Sequence, residues 1–247
     1  MPNDELIKEN QKLKEMVALK SNLISMTAHD LRTSATALKW ILKMIMDKDA
    51  GPVTQEQETL LGKAYESNER AIEMIGEFLS ANRSEDATIS YKFEEADTLK
   101  LLENVISDFS AEAFKQGIEI VFSRPAEKIP YLKIDQAKIR IVLQNLIDNA
   151  IKYSDKGDKI FASVKKDGYF IEFSVKDSGI GIKADDQSKV FDKFFRGENA
   201  KQKKTLGTGL GLTTTKAIVE HHGGNIWFES KENQGTSFYF TLPISTT

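Results

Sequence analysis

Cysteine is absent from the 247 residues, which excludes a disulfide framework and any cysteine-ligated metal. Histidine is scarce as well: there are three, two of them adjacent, too few to build an ordinary zinc site. No apolar run approaches the roughly 20 residues that cross a bilayer. The opening "MPNDELIKENQKLKEM" also lacks the apolar stretch of a signal peptide. The expectation is a cytoplasmic chain, either a whole protein or the cytoplasmic part of a membrane-anchored one. Excess positive charge is missing too. A formal charge of -3 and a pI near 5.8 give no cationic field for nucleic acid. What is present, 40% hydrophobic and 29% charged residues, is ordinary globular chemistry, and the length suits two modest domains.

Proline and glycine are missing from Asp4 to about Asp47, and from Val53 to about Arg83 only Gly62 and Gly76 interrupt. These stretches predict two long helices joined by "DKDAGP". In the first, Leu31, Ala35, Leu38, Leu42 and Ile45 follow heptad spacing, with a looser version at Leu6, Leu13, Met16 and Leu23. In the second, Leu61, Ala64, Asn68, Ala71, Ile75 and Phe78 step by three and four. Two helices cannot cover both stripes, whereas two hairpins can, so a homodimeric four-helix bundle is expected. Residues 1–25 read as a coiled-coil lead-in helix and 26–85 as the hairpin proper.

"ANRSEDATIS" has no apolar period and reads as a linker; from residue 91 to 247 the pattern changes. "YKFEEAD", "IEIVFS", "YLKID", "KIFASVKK", "YFIEFSVKD", "NIWFES" and "TSFYFTLP" read as strands, with "KDG" turning the hairpin. Helices are expected over Thr98–Gln116, from the N-cap Asp135 to about Tyr153, and over Leu210–His222 before "GG". The mixture predicts an α/β sandwich, strands in one layer and helices in the other.

Chemistry concentrates in this second part. On the helix to Tyr153 the apolar stripe is Ile139, Leu143, Leu146 and Ala150, and Asn145, Asn149 and Lys152 share a sector beside it. Two amides and a cation suit a phosphate with a divalent ion; the plain alternative is a polar helix flank. In "YFIEFSVKDSGIGI" the residues Tyr169, Ile171, Phe173 and Val175 form one strand face, and Asp177 continues that parity. A carboxylate aimed at the apolar side needs a donor, such as an adenine amino group, and Gly179 and Gly181 permit close approach. "GENAKQKKTLGTGLGL" then feeds Gly207, Thr208, Gly209, Leu210 and Gly211 into a helix N-terminus, a place for phosphate. It is neither a Walker loop nor a Rossmann fingerprint.

In order, "NLIDNAIKYS", "DSGIGI", "VFDKFFRG", "GTGLGL" and "NQGTSFYFTLP" resemble the N, G1, F and G2 boxes and closing strand of sensor histidine kinases, and "HDLRT" resembles their H box. The resemblance spans roughly residues 20 to 244. It implies a dimerisation and histidine-phosphotransfer domain, then an ATP-binding domain of the gyrase, Hsp90, histidine kinase and MutL superfamily. It further implies Asn149 as the Mg²⁺ ligand with Asn145 its companion, and Lys152 and Tyr153 at phosphate and adenine. Asp177 would read adenine in a pocket shaped by Gly179 and Gly181. Arg196 would approach the terminal phosphate, Gly207 to Gly211 would form the lid hinge, and Thr236 would be a weaker contact. His29 matches the phosphoacceptor, Asp30 its acidic neighbour and Thr33 the position linked to phosphatase activity. A response-regulator receiver domain is the implied partner.

One departure is visible: Ser34 stands where the family usually has proline, which removes a built-in helix bend. The register places His29 and Thr33 on one outer flank of the first helix, with Trp40 near it. Imidazole, which titrates near about 6.5, is a nucleophile at neutral pH. The expected reaction is attack on the γ-phosphorus of ATP, with Asp30 accepting the other ring N–H. His221 and His222, at a helix end, read as structural. Two alternatives stand beside the kinase: an ATP-sensing switch that transfers no phosphate, and a phosphatase-dominant regulator.

Overall fold

The computed structural model describes residues 2–83, 91–203 and 207–244. The chain divides into two compact units, Met1–Ile89 and Ser90–Thr247. Residues 84–90, most of the expected linker, and 204–206, within the expected basic loop, lie outside the described residues. So do the side chains of Leu6, Leu13 and Phe78.

The first unit is a helical hairpin. α1 (Pro2–Met46) is one uninterrupted helix of 45 residues, about 68 Å at 1.5 Å per residue. α2 (Gln55–Arg83) opens with a capping box: the Gln57 N–H donates to Thr54 Oγ1, and the Thr54 N–H donates to Gln57 Oε1. α2 ends at Arg83, the expected end of the helical stretch, so Ala81 to Arg83 of the "ANRSEDATIS" segment belong to the helix. The inward line of α1 is Ala28, Ala35 and Leu42, where the small alanines let the helices approach; Leu31 and Leu38 of the expected seam are 55% and 47% exposed. Asn68, buried on α2, donates its amide N–H to the Ala35 carbonyl at 2.8 Å, and Lys39 pairs with Glu69 at 2.8 Å. These polar contacts fix the register of two otherwise apolar surfaces.

The second unit is built from β1 (Glu94–Ala96), α3 (Thr98–Lys115), β2 (Glu119–Ser123), β3 (Leu132–Ile134), α4 (Gln136–Tyr153), β4 (Lys159–Asp167) and β5 (Phe170–Lys176). Two short helices, α5 (Ala184–Gln187) and α6 (Glu198–Gln202), precede α7 (Gly211–His221), β6 (Ile226–Ser230) and β7 (Thr236–Pro243). Five strands lie in the order β2-β4-β5-β7-β6, parallel only between β2 and β4, while β1 and β3 make a small antiparallel pair. This is the expected α/β sandwich. Alternate residues point into the core: Ile160, Ala162 and Val164 on β4, Ile171, Phe173 and Val175 on β5, Phe238, Phe240 and Leu242 on β7. α3, α4 and α7 supply Leu102, Val105, Leu143, Leu146, Ile218 and Val219 against them. Phe173 and Phe240, opposite each other across β5 and β7, stack at 4.6 Å. The expected inward parity fails at Tyr169, 76% exposed, because Gly168 and Tyr169 form the hairpin turn and β5 begins one residue later.

Candidate functional site

α4 starts where the Asp135 carboxylate accepts the Lys138 N–H at 3.0 Å. Its buried stripe, Ile139, Leu143, Leu146 and Ala150, turns Asn145 and Asn149 to a half-buried flank. Asn145 donates from Nδ2 to the Gly211 carbonyl and to Thr215 Oγ1, both at 3.2 Å, so α4 is tied to the first turn of α7. The Asn149 amide makes no hydrogen bond among the described residues. Lys152 pairs with Asp148 at 2.6 Å along the same helix.

Asp177 lies just past β5 and is 6% exposed. Its Oδ1 accepts both the Gly179 N–H at 2.9 Å and the Thr236 N–H at 3.1 Å. Burial pushes the carboxyl up to about 6; those two backbone bonds and the nearby Lys203 hold it from rising further. The loop then folds against the end of α4. A Cβ on Gly179 would lie 2.1 Å from the Tyr153 carbonyl, so only glycine lets this backbone pass, and the Ile180 N–H donates to that carbonyl. The Gly181 carbonyl accepts from Asn199 Nδ2 at 2.8 Å. Thr236, buried, turns its hydroxyl to Ser230 Oγ at 2.9 Å.

The glycine run is interlocked with "FFRG". Gly209 takes φ +73, where an added Cβ would sit 2.7 Å from the Phe194 carbonyl carbon and the Phe195 oxygen, and its own carbonyl accepts the Phe194 N–H at 3.1 Å. Phe194 is itself in the left-handed region at φ 62, with its ring 61% exposed, a strained arrangement for an aromatic residue. Arg196 donates to the Gly207 and Ala200 carbonyls at 3.2 and 3.3 Å, so its guanidinium braces the loop. Thr208 Oγ1 accepts the Leu210 N–H, and Leu210 is buried at the N-cap of α7.

Two residues here carry roles that the sequence pattern does not announce. Lys203 donates to the Tyr153 and Ser154 carbonyls at 2.8 and 2.7 Å and pairs with Asp155 at 3.0 Å, closing the end of α4. One lysine among several in "AKQKK" has no distinguishing signal. Gly235 backs onto the Asp177 carbonyl, where a Cβ would lie 2.1 Å from the carbonyl oxygen; the "NQG" before Thr236 is the available cue. Asn145 thus meets Gly211, Tyr153 meets Gly179, Asp177 meets Thr236 and Arg196 meets Gly207.

The remaining site residues lie on α1 of the hairpin. The side chains of His29 and Asp30 are 77% and 70% exposed, with His29 Nδ1 3.5 Å from Asp30 Oδ1. Neighbours on a helix do not ordinarily face one another, yet these rotamers bring Nδ1 toward the carboxylate while both side chains stay largely exposed. Thr33 is exposed one turn on, its hydroxyl donating to the His29 carbonyl at 3.0 Å. Ser34 Oγ donates to the Asp30 carbonyl at 2.9 Å, the carbonyl that a proline at this position would crowd. Among the described residues no three His, Asp or Glu side chains form a metal cluster, and no helix is long and apolar enough to cross a membrane.

A buried carboxylate at a strand end, amides on a facing helix and a glycine loop opening α7 define an ATPase-type nucleotide domain. Residues 134–246 match the family described as histidine kinase-, DNA gyrase B- and HSP90-like ATPase. The chain is 34% identical over 231 residues to sensor histidine kinase WalK of Bacillus subtilis, covering 89% of this chain and 36% of WalK. It is 29% identical over 245 residues to adaptive-response sensory kinase SasA of Crocosphaera subtropica, covering 97% of this chain and 63% of SasA. Among solved structures, full-length ShkA in complex with AMPPNP superposes over 92% of this chain and 46% of ShkA, with TM-score 0.74 and 25% identity. The catalytic domain of histidine kinase ThkA matches 63% of this chain and 99% of its own, with TM-score 0.55 and 31% identity. Over most of its length the chain is similar to sensor histidine kinases, spanning between about a third and two thirds of the length of these two curated relatives.

Proposed function

We propose that this chain is the catalytic core of a two-component sensor kinase, which phosphorylates itself on His29 from ATP and passes the phosphoryl group to an aspartate of a response-regulator receiver domain. The observation that carries the reading is the pairing of an exposed, carboxylate-oriented imidazole on α1 with a buried aspartate and glycine loop in the second unit. Asp177 presents a carboxylate to the adenine amino group, with Gly179 keeping the backbone low beside it. The peptide N–H groups at the start of α7 suit the phosphates.

Asn149 fits a Mg²⁺ ligand: its amide has no competing hydrogen bond among the described residues, and Mg²⁺ is commonly held by few protein ligands with substrate phosphates and waters. When bound, the ion offsets phosphate charge. At His29 the Nε2, the ring nitrogen not paired with Asp30, forms the bond to the γ-phosphorus while the bond from that phosphorus to the ADP oxygen breaks. The proton stays on Nδ1, where Asp30 stabilises the cationic ring. No proton need leave the attacking nitrogen, so exposure and orientation are what the site must supply. Thr33, exposed beside His29, would serve hydrolysis of the regulator's acyl phosphate, a second activity of the same surface.

The hairpin supports a homodimer. Leu23, Met26, Leu31, Leu38, Ile41 and Met44 are all 47% to 66% exposed, an apolar face that a single hairpin leaves in water. Incubation with γ-labelled ATP and Mg²⁺ should give an acid-labile, alkali-stable label on the chain. Label that survives His29→Gln would overturn the reading.

A further inference from the structure

α4 and α7 run antiparallel, and two polar rungs hold them together. One is at the glycine loop, where Asn145 meets Gly211 and Thr215. The other is at the far end, ten residues back on α4 and eleven onward on α7, about 15 Å away by helix rise. There His222, buried at 6% exposure as the C-cap of α7, uses both ring nitrogens. Its Nε2 is 3.0 Å from the Asp135 backbone N–H and its Nδ1 is 2.7 Å from the Ile218 carbonyl. A backbone N–H can only donate, so Nε2 accepts; a carbonyl can only accept, so Nδ1 carries the proton. This fixes the tautomer from geometry.

Between the rungs the contact is apolar, contributed by Ile139, Val142, Leu143, Ile218 and Val219. Such surfaces give affinity but tolerate sliding, whereas a buried hydrogen bond has one register. The far rung is also where the chain enters this unit. Asp135, the N-cap of α4, accepts the Lys92 N–H on Oδ2 at 3.0 Å, Tyr91 stacks on His221 at 3.8 Å, and Phe93 lies 5.0 Å from the His222 ring.

We propose that His222 is a positioning residue for the nucleotide site: its imidazole sets the register of α7 against α4 from the end opposite the glycine loop, so that Gly211 meets Asn145. The proposal rests on the nucleotide-binding function proposed for this unit. The charged groups acting on the ring are the Asp135 carboxylate, which favours its protonation, and His221, which opposes it; the Lys138 ammonium lies over the Tyr91 ring. Burial outweighs the rest and lowers the His222 pKa, so the acceptor nitrogen stays available through neutral pH.

The test uses the full chain as wild type, His222→Gln and His222→Phe. Glutamine can still accept from Asp135 and donate to Ile218; phenylalanine keeps the ring against Tyr91 and Phe93 but does neither. Binding of trinitrophenyl-ATP should weaken about tenfold in His222→Phe and stay within about twofold of wild type in His222→Gln. Nitrogen NMR of the wild-type imidazole should show the neutral form protonated on Nδ1. The side-chain amide of Asn145 should shift in His222→Phe and not in His222→Gln.

Wild-type affinity in His222→Phe with an unmoved Asn145 amide would overturn the proposal, as would equal losses in both variants. If His222→Phe does not fold, an Nε2-protonated wild-type imidazole or a tenfold loss in His222→Gln overturns it, and their opposites support it. If the wild type binds no nucleotide, the proposed function fails, while the imidazole and Asn145 signals still decide the register claim.

Discussion

The two units solve the burial problem differently. The second closes on itself: Phe173, Phe240, Leu143, Leu146 and Ile218 are each at most 2% exposed, and the inner face of its sheet is covered by its own helices. The hairpin does not close. Its inward line is made of Ala28, Ala35, Leu42 and a buried asparagine, while larger side chains, Leu23, Leu31, Leu38 and Ile41, remain more than 45% exposed. The second unit has the makings of a complete domain, and the hairpin those of half of one. A nucleotide pocket benefits from a rigid closed core, whereas a phosphoacceptor must stay reachable.

The largest effect should come from breaking the open half. Leu31→Asp with Leu38→Asp places four carboxylates in the proposed dimer interface and should turn the chain monomeric in sedimentation analysis. Nucleotide affinity, a property of the closed unit, should remain within about twofold, and a dimer surviving both changes would erase the contrast. Next comes Asp177→Asn, which sets an amide donor or an uncharged acceptor against the adenine amino group. About a hundredfold loss of ATP affinity is expected in calorimetry, without loss of folding.

Stability should even rise at neutral pH in that variant. Asp177 has its folded pKa raised from the ordinary 3.8 to about 6. Its contribution to stability is therefore fully present below 3.8 and lost as pH rises through about 6. Removing the buried charge should raise the melting temperature at about pH 7 and change little at about pH 4. Nucleotide affinity runs the other way, falling as pH drops below about 6 when the carboxylate takes up a proton.

Gly209→Ala should cost about tenfold in nucleotide affinity, since its Cβ would sit 2.7 Å from the Phe194 backbone and displace the interlocked loop. The smallest effect on binding belongs to Ser34→Pro. It should leave ATP affinity unchanged while bending α1 next to His29, read as an altered ratio of autophosphorylation to regulator dephosphorylation.

Most of the closed unit was legible in the sequence because its signals are local: alternation in β4, β5 and β7, the Asp135 cap, the glycines beside Asp177 and before α7. The parity that placed Asp177 inward held from Ile171 onward and failed only at Tyr169, where a two-residue turn displaced it. The hairpin was legible as two helices and less so as a surface. Heptad spacing found the stripe but could not say which edge faces α2, a choice made by the small residues Ala28 and Ala35 and by Asn68 reaching the Ala35 carbonyl. Long-range polar contacts were not legible at all. Lys203 on the end of α4 and His222 on Asp135 join residues 50 and 87 positions apart, and neither leaves a periodic trace.

In the proposed function one unit supplies the nucleotide and the other the nucleophile. The most direct test of that division compares γ-labelled ATP incorporation in wild type, His29→Gln and Asp177→Asn, with nucleotide affinity measured on the same samples. Acid-labile label is expected in wild type alone, with His29→Gln binding ATP as tightly as wild type and Asp177→Asn binding weakly. Acid-labile label in His29→Gln, or full labelling in Asp177→Asn, would contradict that division.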